Sequence, residues 1–191
     1  MTAHVALGID IGGSGIKGAP IDLTTGQMIT ERVKILTPAK STPTAVAEIV
    51  AEIARQVSGA LPDDAPVGVT IPGVVQHGVV RTAANIDKSW IDAEGEKIFS
   101  EALGRPCTLV NDADAAGVAE TRWGAGKDHD GLVITTTLGT GIGIALTYNG
   151  VLIPNAELGH LEIDGHDAET RAAASARERE GLNYKDWAKR L

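Results

Sequence analysis

Four short segments carry residue types suited to chemistry on phosphates and hydroxyls. The first, Gly8–Gly18 (GIDIGGSGIKG), places Asp10 just ahead of Gly12, Gly13, Ser14 and Gly15. Glycines let a chain turn tightly with its N–H groups outward, a natural cradle for phosphate. A carboxylate beside bare phosphates repels them unless a cation lies between. Asp10 therefore points to Mg2+ held next to a phosphate tail, as in phosphoryl transfer. Lys17 follows the turn and could add charge there, or face solvent as a strand residue. Gly13–Gly18 also matches GxGxxG formally, but a dinucleotide fingerprint needs a helix after its glycines. Ile16-Lys17-Gly18-Ala19-Pro20-Ile21 has no helical period, and Pro20 would break one. An ordinary glycine-rich hairpin is the plain alternative.

The second segment, Asn111-Asp112, lies where an apolar run gives way to a helical pattern. A carboxylate there can be partly desolvated and act as general base for a hydroxyl nucleophile. Asn111 could then hydrogen-bond a second hydroxyl. Asp112 could instead cap the following helix, and Asp114 competes for either role. The third segment, Leu138–Gly143 (LGTGIG), offers backbone donors and the Thr140 hydroxyl, and gains meaning as a partner to the first glycine turn. The fourth, Glu157–Glu162 (ELGHLE), sets two carboxylates and an imidazole within six residues. With no cysteine and no helical spacing this is a poor zinc pattern. Acceptors and donors of this kind suit the several hydroxyls of a sugar better. His166, Asp167 and Glu169 then read as a solvated acidic loop.

Short α/β elements must position these groups. Val5–Ile9 predicts a buried strand ending at Asp10, followed after the glycine turn by a second strand and a third run, Met28–Leu36. Apolar spacing predicts a helix over Thr44–Val57, then a strand at Val67–Ile71 and a hairpin over Val74–Val80. Arg81–Asp92 is irregular, and Asn85, Lys88 and Trp90 within it are loop residues of interest, because ligand groups collect on loops. A helix over Glu94–Leu103 stops at Gly104, Cys107–Val110 forms a strand, and Ala113–Trp123 forms a helix closed by Gly124. Strands follow at Leu132–Thr137, Ile144–Tyr148 and Val151–Ile153, the last two joined through Asn149-Gly150. Beyond Ile153 no further strand is expected, only a helix from Asn183 to the end. Strand, glycine turn, strand thus occurs twice, which points to two related halves facing each other across a cleft, the second unfinished.

Composition narrows the classes. The chain has 191 residues, 43% hydrophobic and 22% charged, which is ordinary for a soluble globular protein. A net charge of -8 and 3% aromatic residues argue against nucleic-acid binding. No apolar run reaches membrane-spanning length and no signal pattern opens the chain, so a cytoplasmic protein without membrane partners is expected. Cys107 stands alone, so no internal disulfide forms.

GIDIGGSGIKG, Asn111–Gly117 (NDADAAG), LGTGIG and ELGH stand in the order found in the ROK sugar kinases, and the chain resembles that family over essentially its whole length. It is most similar to the branch that uses polyphosphate. The resemblance implies an actin-like ATPase (ribonuclease H-like) α/β fold with two lobes around a cleft. Residues 1–110 would form the N-terminal lobe with the first phosphate turn, and 111–191 the start of the C-terminal lobe. Family chains continue well past a point matching Leu191, so the second lobe is expected to be incomplete.

The implied reaction moves a phosphoryl group from polyphosphate, and also from ATP, to the 6-hydroxyl of glucose. By motif, Asp112 is the base, and Asn111, Asp112, Glu157, His160 and Glu169 hold glucose. Gly12, Gly13, Ser14, Lys17, Gly139, Thr140 and Gly141 contact phosphates, and Asp10 holds Mg2+ through water. Many family members carry a cysteine-rich zinc motif after the Gly-His pair; Ile163–Glu169 has no cysteine, so no zinc is expected. A homodimer is implied by resemblance alone. A strictly ATP-dependent glucokinase and an inactive sugar-binding remnant are the alternatives. The family's repressors carry an amino-terminal helix-turn-helix, for which a first strand at Val5 leaves no room.

Overall fold

Alternation of apolar residues builds the first sheet. In the computed structural model, which describes residues 4–83 and 86–191, β1 (Val5–Gly12) buries Leu7, Ile9 and Ile11 on one face. The chain divides into two compact units, Met1–Asp112 and Ala113–Leu191. Asn85 lies outside the described residues.

In the first unit β1 continues past Asp10 and pairs antiparallel with β2 (Gly15–Asp22), the register closing at Gly12 opposite Gly15. Gly13 and Ser14 are therefore the hairpin tip, and no helix follows the glycines. The single run expected over Met28–Leu36 is two short strands, β3 (Gln27–Met28) and β4 (Val33–Ile35). Both pair with β2, at Ile21–Asp22 and at Ile16–Gly18 respectively. Between them Pro20 accepts from the Ile29 N–H but has no N–H to return, so the ladder lapses there.

The helix α1 (Pro43–Val57) opens on Thr42, whose hydroxyl accepts from the Ala45 N–H, with Pro43 in the first turn, where no donor is needed. Its Val46, Val50, Ile53 and Val57 are buried at helical spacing. After it come β5 (Val67–Ile71), a small hairpin of β6 (Val75–Gln76) and β7 (Val79–Val80), α2 (Gly95–Leu103) and β8 (Cys107–Asn111). Gly104 ends α2 in the left-handed conformation, φ 65°. The sheet order is β3-β2-β1-β5-β8, with β1, β5 and β8 mutually parallel.

Trp90 is a core residue rather than a loop ligand. It is fully buried, donates its Nε1–H to the Ser41 carbonyl at 2.8 Å and stacks at 5.4 Å on Phe99. Lys88 stays exposed, with its Nζ donating to the Ala83 carbonyl at 2.6 Å.

The helix α3 (Asp112–Trp123) leads into the second unit. There β9 (Leu132–Leu138), β10 (Ile142–Tyr148) and β11 (Val151–Ile153) form an antiparallel sheet, turned at Asn149 and Gly150 with both φ positive. The strands expected from Ile144 begin two residues earlier, directly at the glycine turn. The helix α3 packs on this sheet so closely that a Cβ on Gly117 would overlap that of Ala145.

Contrary to expectation, strands do follow Ile153. β12 (Glu162–Ile163) and β13 (His166–Asp167) make a hairpin through Asp164 and Gly165, both at positive φ. Two-residue strands are too short to show alternation, although Asp-Gly is a hairpin signal. Three short helices follow, α4 (Ala168–Ala172), α5 (Ala174–Arg179) and α6 (Tyr184–Ala188). Asn183 caps α6, accepting from the Asp186 N–H, and the helix stops short of the end.

Candidate active site

The site residues expected from sequence fall into two groups, one in each unit. In the first unit the pairing register sets Asp10 between Lys17 on β2 and Thr70 on β5. Lys17 Nζ lies 3.3 Å from Asp10 Oδ2, and the Thr70 hydroxyl donates to Asp10 Oδ1 at 3.0 Å. Lys17 is thus drawn to the carboxylate rather than left to solvent. Gly13 and Ser14 stand exposed at the tip, and Thr37 donates its hydroxyl to the Gly12 carbonyl at 2.5 Å. That contact leaves the turn's geometry set from a loop.

Asn111 ends β8 almost wholly buried, its Nδ2 donating to the Gly73 carbonyl at 3.1 Å. Asp112, the next residue, is exposed and is the first residue of α3. A strand that passes directly into a helix presents this carboxylate at a fixed place. Asp114, the competing candidate, is 2% exposed and accepts from the Asn155 N–H at 2.9 Å. Burial raises its pKa above the usual carboxylate range, with the Asn155 hydrogen bond acting the other way. Its work is to tie the loop after β11 to α3.

In the second unit Gly139, Thr140 and Gly141 turn from β9 into β10, with the Gly139 N–H bonded to the Gly141 carbonyl at 3.0 Å. Two later segments hold this turn. Ser175 donates its hydroxyl to the Thr140 carbonyl at 2.6 Å, and Glu169 Oε2 accepts from the Ile142 N–H at 2.9 Å. Glu157 sits at φ 47° before a turn of 3-10 helix, Leu158–His160. A non-glycine residue in this region is held there by its surroundings. A Cβ on Gly159 would overlap the Ile142 carbonyl, so the Glu157–His160 segment lies directly on the exit of the glycine turn.

His160 Nδ1 is 3.1 Å from Asp167 Oδ2. That hydrogen bond raises the His160 pKa, with Glu169, Asp167 and Glu157 adding negative charge and burial opposing; Asp167 is correspondingly lowered. Asp167 is therefore a structural partner rather than a solvated loop residue. Thr37, Thr70, Asp167 and Ser175 were not legible as site residues, because each is joined to its partner by folding rather than by motif. Among the described residues no group of three or more His, Cys, Asp or Glu is arranged to hold a metal ion.

This mixed α/β architecture is that of the actin-like ATPases, in the form shared by sugar kinases. Within that class the chain belongs to the ROK family, whose model matches residues 6–176. It is 54% identical to a polyphosphate glucokinase of Mycobacterium tuberculosis (strain H37Rv) over 191 residues, all of this chain and 71% of that protein. The crystal structure of an inorganic polyphosphate/ATP-glucomannokinase from Arthrobacter sp. strain KM matches with TM-score 0.89 and 52% identity. The match covers 98% of this chain and 75% of that one. A ROK family glucokinase from Streptomyces griseus, solved with glucose and AMPPNP, matches with TM-score 0.79 and 28% identity over 92% of this chain and 59% of that one.

Proposed function

We propose that this chain is a sugar kinase that transfers a phosphoryl group from inorganic polyphosphate to the 6-hydroxyl of glucose, with ATP as a second donor. The observation that carries this reading is 54% identity, over its entire length, to a polyphosphate glucokinase. The products are glucose 6-phosphate and a polyphosphate shorter by one unit, or ADP.

Asp112 accepts the proton of the 6-hydroxyl as its oxygen attacks phosphorus, and its exposed position at the start of α3 suits that task. Asn111, Glu157, His160 and Glu169 hold the remaining hydroxyls. Gly12, Gly13, Ser14 and Lys17 receive one part of the phosphate chain, and Gly139, Thr140 and Gly141 another. Residues 1–110 serve as the lobe carrying the first phosphate turn, and 111–191 as the part carrying base, second turn and sugar segment. Substrates are small molecules, and a homodimer is the assembly we favour.

Asp10 Oδ1 and the Thr70 hydroxyl suit Mg2+ held through water, with Lys17 Nζ already paired to Asp10 Oδ2. A carboxylate beside the Thr70 hydroxyl is a hard-oxygen set, and this ion commonly uses one or two carboxylates and keeps several waters. When bound, the ion would neutralise charge developing on the phosphates. Lys17, already beside Asp10, adds a fixed positive charge on the same strand pair. No described helix is long and apolar enough to cross a membrane.

The test is glucose 6-phosphate formation by this chain and by Asp112→Asn, with Mg2+ and with polyphosphate or ATP, each freed of the other. Activity with polyphosphate that collapses in the variant is the expected result. Activity with ATP alone would instead identify an ATP-dependent glucokinase.

A further inference from the structure

A single carboxylate links three parts of the second unit. Asp167 Oδ2 meets His160 Nδ1 at 3.1 Å, while Oδ1 accepts the Glu169 N–H at 2.9 Å and caps α4. The Glu169 side chain then reaches the Ile142 N–H at 2.9 Å, at the exit of the Gly139–Gly141 turn. The Thr170 hydroxyl adds a bond to the Asp167 carbonyl at 2.7 Å. The β12–β13 hairpin makes this possible, because its register returns Asp167 opposite Glu162, two residues past His160.

We propose that Asp167 is a positioning residue for sugar binding: it orients the His160 imidazole with one oxygen and, by capping α4 with the other, sets Glu169 on the second glycine turn. This rests on the sugar-kinase reading above and deepens it. Neither Asp167 oxygen touches substrate in this account; it acts through His160 and Glu169.

The physical reason concerns which nitrogen faces the ligand. An imidazole whose Nδ1–H is committed to a carboxylate presents Nε2 outward in a fixed orientation, as an acceptor when neutral and a donor when charged. An unpartnered ring would sample both tautomers and several orientations, and the sugar would have to select one. Glu169 and Glu157 add negative charge near the ring, while the hydrogen bond to Asp167 is the largest influence on it. Capping gives the second effect. The Glu169 backbone is held at the first turn of α4, so its carboxylate meets the Ile142 amide without a search over loop conformations. One residue thereby couples the sugar segment to the phosphate turn.

The experiment compares wild type, Asp167→Asn and Asp167→Ala, all as the full chain. The His160 ring is followed by nitrogen-detected NMR against pH, and glucose KM and kcat are measured separately. Asparagine is a good cap, so Asp167→Asn should keep α4 and the fold while losing the charge beside His160. Expected are a His160 pKa lowered toward an ordinary imidazole and loss of the Nδ1–H tautomer preference. Glucose KM should rise on the order of tenfold, the low end of what removing the carboxylate partner of a metal-ligating histidine costs, with kcat changed much less. Asp167→Ala should show the same His160 change and a larger KM effect, because the cap goes too. Variants whose His160 titration, tautomer and KM match an active wild type would overturn the proposal alone. A wild-type chain that neither binds nor phosphorylates glucose would overturn the sugar-kinase reading, and this proposal with it.

Discussion

The two units bury their sheets to very different degrees. In the first, Leu7, Ile9, Ile11, Val67, Val69 and Ile71 are at most 4% exposed, in one core with residues of α1 and α2. In the second, the face of the sheet bearing Ala145 and Thr147 packs on α3, and both residues are 1% exposed. Its opposite face does not. Leu132, Tyr148 and Val151 are register neighbours there, as are Ile134, Leu146 and Ile153, and most of this apolar row is open. Contiguous exposure on this scale is unusual for a protein surface, where single exposed apolar residues are the rule. The second unit is held instead by close backbone approaches and by polar ties such as Glu169 to Ile142 and Asp167 to His160. The first unit is stabilised chiefly by burial, and the second depends more on specific hydrogen bonds.

The largest expected effect separates chemistry from stability altogether. Asp112 is exposed, so Asp112→Asn should leave the unfolding midpoint nearly unchanged while kcat falls on the order of 100- to 10,000-fold, the range for a general base. Steady-state kinetics alongside urea denaturation checks both halves. A kcat loss below tenfold would remove Asp112 from the base role.

Next comes a direct comparison of the sheets. Ile53 is fully buried in α1, and Ile53→Ala should cost about 2–5 kcal/mol. Ile134 is 58% exposed on the open face, so Ile134→Ala should change stability by about 0.5 kcal/mol or less. Denaturant titration of both variants measures the contrast. Equal costs would mean that the face of β9 is covered in solution.

The same contrast explains what was legible beforehand. Regular burial leaves a periodic trace, so β1, α1, β5, β8 and the Asn149-Gly150 turn could be read from apolar spacing and turn chemistry. The glycine turns and Asn111-Asp112 were legible as motifs. Long-range partners left no such trace. Thr70 meets Asp10 across 60 residues through strand register, and Trp90 fills the core from a stretch that has no apolar period. Pro20 divides a run that composition alone makes continuous. Asp167 looked like one more acidic loop residue, because a two-residue hairpin has no period to reveal it.

A smaller effect tests the close approaches. Gly159 has no room for a Cβ against the Ile142 carbonyl, so Gly159→Ala must shift either the 3-10 turn or the start of β10. A destabilisation of about 1–3 kcal/mol is expected, the range for forced overpacking. Activity should fall further than this loss of folded protein explains, since Glu157 and His160 flank the displaced residue. Kinetics at a temperature well below the variant's melting point distinguishes the two.

The smallest effect is the pH dependence of the Asp167–His160 tie. The His160 pKa is raised in the folded chain, so its contribution is fully present below the unfolded imidazole value and fades as pH rises through the folded value. The Asp167 pKa is lowered, so its contribution is present above the unfolded carboxylate value and fades as pH falls through the folded one. The pair therefore stabilises most between those limits, around pH 5–6 by the ordinary values of the two groups. Both side chains are substantially exposed, at 54% and 40%, and solvent screens them. A difference in Tm between wild type and Asp167→Ala should be largest near about pH 5.5, between the ordinary values of the two groups, and shrink as pH rises through the raised imidazole value. Loss of the α4 cap would persist across that range, because capping does not depend on the charge of His160. A Tm difference independent of pH would leave capping as the only role of Asp167 in stability. A difference that grows with pH would contradict the direction of the His160 shift.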